Sequence, residues 1–150
     1  MKKLFCIFVL AVTCCAISFA QKSYNSGQQA VRNNIESFLK SEGYQPSIDS
    51  DGDIKFKRQG DVYFISVSDK DSEPYYVRLT KYYTYGERLN KTKISMAAPE
   101  INKYKMVKLL PNENSFCLDA QLFVNSASAF TSIFDRIMQV IDAAENELSE

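Results

Sequence analysis

From Ile54 to Thr80 apolar and polar side chains change places on a two-residue period. Ile54, Phe56 and Arg58 alternate with Lys55 and Lys57. Val62, Phe64 and Ser66 alternate with Tyr63, Ile65 and Val67. Tyr75, Val77 and Leu79 alternate with Tyr76, Arg78 and Thr80. Side chains of an extended chain point to opposite faces in turn, so this period predicts short strands with one packed and one wetter face. Turn signals separate them: Asp51-Gly52, Gln59-Gly60-Asp61, and "DKDSEP" at 69–74. The spacing predicts an antiparallel meander.

The flanking segments have a different period. Val31, Ile35, Phe38 and Leu39 fall on one face of a helix between Gln28 and Glu42, with Asn25 or Ser26 to cap it and Gly43 to end it. A second helix is predicted over 87–102, where Ile94, Ala97, Ala98 and Ile101 share a face and Pro99 predicts a kink or break near Ala98. Strands follow at Tyr104 to Leu110 and Ser115 to Val124, joined by "PNEN". Phe130, Ile133, Phe134, Ile137, Met138, Ile141 and Ala144 then mark the stripe of a closing helix capped by Asn125 or Ser126. The expected class is α+β, an antiparallel meander sheet with helices packed on one face, in the order α-β-β-β-β-α-β-β-α.

The chain opens "MKKLFCIFVLAVTCCAISFA". Two lysines, an apolar run from Leu4 to Ile17 and small residues at Ser18 and Ala20 form the pattern of a signal peptide, residues 1–20, cleaved before Gln21. The run is shorter than the roughly 20 residues that span a bilayer, and the mature chain carries no membrane-spanning run. Lipidation at Cys14 or Cys15 is the alternative, although Thr13 precedes one and a cysteine the other. The expected destination is the periplasm or cell surface. Residues 21–27 read as a flexible lead-in and 28–148 as a single α+β domain.

Removing Lys2 and Lys3 from the 18 basic residues leaves 16 against 18 acidic ones, a net charge near −2. That balance argues against a nucleic-acid partner, which would need a clustered basic surface. Three of the four cysteines leave with the signal, so Cys117 has no intramolecular disulfide partner and reads as a buried strand residue.

The chain contains no histidine, which removes Ser-His-Asp and Cys-His nucleophile systems and most catalytic zinc sites. Asp49, Asp53, Asp61 and Glu73 are available carboxylates for glycoside hydrolysis, but all lie in turns. Asp49, Asp51 and Asp53 around Gly52 partly fit a calcium loop. Ser47 stands at its first position, however, and Arg58 at the twelfth, where a bidentate carboxylate belongs. A hairpin Asp-Gly turn accounts for the same residues. No catalytic residue, metal site or cofactor is expected, and the chain reads as a non-enzyme. The remaining unusual feature is "YYVRLTKYYTYGE". Tyr75, Tyr76, Tyr82, Tyr83 and Tyr85 are the candidate interaction surface, for protein or for a stacked sugar, against the plainer reading of tyrosine as a half-buried strand residue.

The run "IDSDGDIKFKRQGDVYFISVSDKDSEPYYVRLTKYY", followed by "AAPEINKYKMVKLL", resembles the YbjN-type family. Its proteins are described loosely as bacterial sensory transduction regulators and share a fold with type III secretion chaperones. The resemblance spans about residues 28 to 145. It implies helices on one face of a twisted antiparallel sheet, a homodimer and a protein-binding role, and it carries over no catalytic or ligand residue. Many relatives are cytoplasmic and lack the export signal seen here, and Pro99 sits where they usually continue a helix. The expected function is a non-catalytic secreted protein-interaction module, chaperone-like or regulatory, with a protein partner or itself. A carbohydrate or small-ligand binder and a calcium-stabilised domain are the alternatives.

Overall fold

A computed structural model describes residues 22–149. The predicted signal peptide and its Cys14 and Cys15 lie outside the described residues. The elements run α1 Ser26–Ser41, β1 Ser47–Ile48, β2 Ile54–Arg58, β3 Asp61–Val67, β4 Tyr75–Thr84, α2 Lys91–Ile101, β5 Val107–Pro111, β6 Ser115–Val124, α3 Ala127–Thr131 and α4 Phe134–Ser149. This is the expected α+β order, with the closing helix divided at Ser132–Ile133. The six strands form one antiparallel sheet in the order β1-β2-β3-β4-β6-β5. The first four make a meander, and the β5–β6 hairpin returns to lay β6 along the whole of β4.

The helices gather on one side. Ile54, Phe56, Tyr63, Ile65, Leu79 and Leu118 from the sheet meet Ile35, Leu39, Ile94, Phe134, Ile137 and Ile141 from the helices in a single core. Burying such side chains supplies the main drive to fold, at about 25 cal/mol per Å² of apolar surface. Among the described residues no helix is long and apolar enough to cross a membrane.

Local chemistry sets the element ends. Asn25 and Gln28 form a reciprocal capping box, each side chain accepting the other's backbone N–H at 2.9 and 2.7 Å. At the other end of α1, Gly43 takes φ +86° and lets Tyr44 N–H reach back to the Leu39 carbonyl at 2.9 Å. The β2–β3 hairpin closes on Gln59 and Gly60, both at positive φ, which matches the twist of the flanking strands.

Ahead of α1 the Lys22 ammonium lies 2.6 Å from Asp53, and Tyr24 stacks under the Arg32 guanidinium. One expectation needs correction. The second helix is not broken near Ala98. It begins at Lys91, with Asn90 accepting the Lys93 N–H, and runs through Pro99 to Ile101. Proline here falls in the last turn, where its missing N–H removes a single intrahelical bond, and the Asn102 N–H still closes on the Ala98 carbonyl at 2.9 Å.

Candidate functional site

Among the described residues no helix covers the second face of the sheet. Cross-strand register places its residues in rows: Lys55, Phe64, Thr80, Asp119 and Lys108 in one, Val62, Tyr82, Cys117 and Leu110 beside it, then Ser66, Arg78 and Gln121, and finally Tyr76 and Phe123. Phe64 and Tyr82 meet edge to face at 5.6 Å, and Tyr76 and Phe123 lie 5.0 Å apart. Tyr82 is 53% and Phe123 66% exposed, large aromatic areas left in contact with water.

Between the two aromatic pairs stands a polar centre. Asp119 is fully buried although no helix among the described residues covers its face. It accepts Arg78 Nε at 3.2 Å and Nη2 at 3.0 Å, Thr80 Oγ1 at 2.7 Å, and the Gln121 amide. Four donors on one carboxylate satisfy its charge where water cannot reach. Beside it, burial pushes the Cys117 thiol up to about 11, with the Asp119 charge adding to the effect. The thiol is buried as its sequence position predicts, and it stays protonated at neutral pH.

The five candidate tyrosines do not share one surface. Successive strand residues face opposite ways. Tyr76 and Tyr82 therefore lie on the uncovered face, and Tyr75 and Tyr83 on the helix side. Tyr75, Tyr83 and Tyr85 are half-buried against the core. Tyr83 stacks on Phe116 at 4.8 Å, and Tyr85 donates its hydroxyl to the Asn112 carbonyl at 3.0 Å. The Tyr75 hydroxyl lies so close to Gly27 that a Cβ there would stand 2.3 Å away, so any larger residue would have to displace the Tyr75 ring. Phe64 and Phe123 complete the open aromatic surface and were not among the candidates. The signal for Phe64 was present but ambiguous, because both registers of β3 are apolar.

The acidic stretch is a turn between β1 and β2. The Asp49 carboxylate accepts the N–H groups of Asp51 at 3.0 Å and Asp53 at 2.8 Å, and Gly52 takes φ +80°. Asp53 pairs with Lys22. Of the four available carboxylates, Asp49 and Asp53 share this turn and Glu73 lies in the β3–β4 loop at the same end of the strands, whereas Asp61 is at the β2–β3 turn, the opposite end. Among the described residues no three acidic or cysteine side chains stand close enough together to hold a metal ion.

On the helix side, Lys81 is 3% exposed. Its ammonium lies 2.8 Å from Asp61 and 2.6 Å from Glu145, over the rings of Tyr63 and Tyr83. Arg58 grips Asp142 with two bonds of 2.8 and 3.0 Å. These pairs fasten α4 to the β2–β3 hairpin. Burial alone would lower the Lys81 pKa, but hydrogen bonds to Asp61 and Glu145 outweigh it and hold the group above 10.5. Burial also holds the Tyr63 and Tyr83 hydroxyls above 10.0. All three groups bind more protons folded than unfolded once the pH passes about 10, so their contribution is complete below that pH and lost above it. Stability should therefore fall steeply from about pH 10 upward. Tyr63 and Tyr83 should ionise only as the fold opens, in a 295 nm titration run beside circular dichroism. Complete ionisation of all nine tyrosines with the fold intact would contradict this.

No family model matches the chain, and no curated protein matches it. Among solved structures it is similar to the crystal structure of an uncharacterized protein from Methanothermobacter thermautotrophicus. That likeness has a TM-score of 0.50 and 13% identity, and covers 79% of this chain and 99% of the archaeal one. At that identity the likeness concerns the fold alone.

Proposed function

We propose that this chain is a non-catalytic interaction module that pairs with a second copy of itself through the uncovered sheet face. The observation that carries the reading is the pair of aromatic clusters, Phe64–Tyr82 and Tyr76–Phe123, left in water on that face. Aromatic residues and arginine are the side chains enriched at protein interfaces. The area is also adequate. The six strands hold 2, 5, 7, 10, 5 and 10 residues, which at about 3.3 Å per residue and about 4.8 Å between strands give a face of about 600 Å², the lower end of what each partner of a specific complex buries. Two antiparallel sheets packed face to face are a standard architecture.

The sheet edges suit a partner less well. β1 is two residues long, and β5 ends in Pro111 and carries Lys108, features that resist strand addition. The YbjN-type resemblance supports a protein-binding homodimer, and the N-terminal sequence supports export to the periplasm or cell surface.

Sedimentation velocity between about 1 and 200 μM should show a concentration-dependent dimer. Exposed aromatic anchors typically contribute about 2 kcal/mol each, so Tyr82→Asp or Phe123→Asp should weaken the dimer about thirty-fold without unfolding the chain. A wild-type monomer at the highest concentration, or dimers insensitive to both changes, would overturn the reading.

A further inference from the structure

Away from the uncovered face, a cleft of about 340 Å³ lies between the first turns of α1 and the β1–β2 turn. Its lining includes Lys22, Tyr24, Gln29, Arg32, Ile48 and Gly52. Arg32 is the unusual member. It is 8% exposed, yet among the described residues no carboxylate lies within 4.0 Å of it. A buried charge is ordinarily paired. The guanidinium offers five donors in a rigid fork. Bonds to the Gly52 carbonyl and, at 3.4 Å, to Gln29 Oε1 use two of them. Its flat face rests on the Tyr24 ring at 3.9 Å.

A second observation is independent of the first. The Tyr24 hydroxyl is buried and, among the described residues, has no hydrogen-bond partner. It lies beside Gly52, 3.7 Å from where a Cβ would stand. Burial holds its pKa above 10.0, so it is a proton donor at neutral pH. Arg32, with its spare donors, and Tyr24, whose hydroxyl lies just beneath the surface, therefore line one cleft.

We propose that this cleft binds a carboxylate, received by the spare Arg32 donors and the Tyr24 hydroxyl. Carboxylate geometry matches the guanidinium fork. The surrounding acids, Asp49, Asp53 and Asp69, disfavour a doubly charged ligand more than a singly charged one. Lys22 is already held by Asp53, and the Asp49 carboxylate is turned onto its own turn's N–H groups. Both acids would repel a dianion. Ile48, 49% exposed, offers a short apolar wall, so a carboxylate with a small alkyl tail should bind better than acetate.

The test is a ¹⁵N-edited NMR titration of the purified protein with sodium acetate, sodium butyrate and sodium phosphate at pH 8 and constant ionic strength. The expected result is saturable shifts centred on Gly52 and the Arg32 Nε–H, tighter for butyrate than acetate and weakest for phosphate. Tyr24→Phe removes only the hydroxyl and should weaken butyrate binding five- to ten-fold while the remaining spectrum is preserved. Arg32→Gln should abolish binding if it folds, but the conclusion does not depend on that variant. Shifts that fail to saturate, phosphate binding as tight as butyrate, or Tyr24→Phe with unaltered affinity would each overturn the proposal.

Discussion

Arg78→Met should lower the unfolding free energy by about 3–5 kcal/mol, the loss expected when one partner of a buried ion pair is removed. The two partners are not equivalent. Arg78 keeps 35% of its side chain exposed, whereas Asp119 keeps none. Without the guanidinium, the carboxylate is left with only Thr80 and Gln121 in a place water does not reach. The reverse change is milder. After Asp119→Leu, Arg78 can turn its head into solvent, and the main residual penalty is the orphaned Thr80 hydroxyl, about 1–3 kcal/mol. The double variant Arg78→Met, Asp119→Leu should recover much of the first loss, because no charge is then stranded. Guanidinium denaturation with an unchanged m-value measures all three. Equal losses in the two single variants would refute the asymmetry.

The same pair shows where sequence reading stops. Arg78 and Asp119 are 41 residues apart. Both positions read as strand, but a helix and another strand intervene between β4 and β6. Nothing local announces that β6 aligns with β4 across ten residues. The strand and helix order was legible because each element carries its own period and its own stop. Examples are Gly43 after α1, Gln59-Gly60 between β2 and β3, and Asp51-Gly52 between β1 and β2. The turn reading of the acidic stretch followed from that local chemistry.

The candidate surface was legible only in part. Strand alternation alone requires adjacent tyrosines to part, so Tyr75/Tyr76 and Tyr82/Tyr83 could have been divided between faces in advance. Which member of each pair meets the helices was not fixed by composition. β3 has apolar residues in both registers, Val62 and Phe64 in one and Tyr63, Ile65 and Val67 in the other. The structure resolves this by burying Tyr63, Ile65 and Val67 and leaving Phe64 half-open. Phe123 was hidden in the same way, because "QLFV" is apolar at three successive positions. The Arg32 cleft was less legible still, since it joins the lead-in, α1 and the β1–β2 turn, three segments with no shared pattern.

Phe134→Ala should cost about 3–5 kcal/mol, the upper range for a core truncation. Phe134 opens α4, is 1% exposed, and stands where four aromatic rings from separate segments converge. Phe38 of α1 lies 5.4 Å away edge-on, Phe56 of β2 at 6.0 Å, Tyr44 at 6.1 Å and Phe130 of α3 at 6.1 Å. Rings anchored on two helices, a strand and the loop after α1 cannot all close over the space a phenyl leaves, so the cavity persists. Phe134→Leu fills most of that space and should lose about 1.5 kcal/mol or less. The control is the same residue type on the other face. Phe123→Ala removes a ring that is mostly in water, and in the monomer it should change stability by about 0.5 kcal/mol at most. The difference between Phe134→Ala and Phe123→Ala at low protein concentration therefore measures the contrast between a covered and an uncovered sheet face. Similar losses at both sites would mean that the second face is not open in the folded chain.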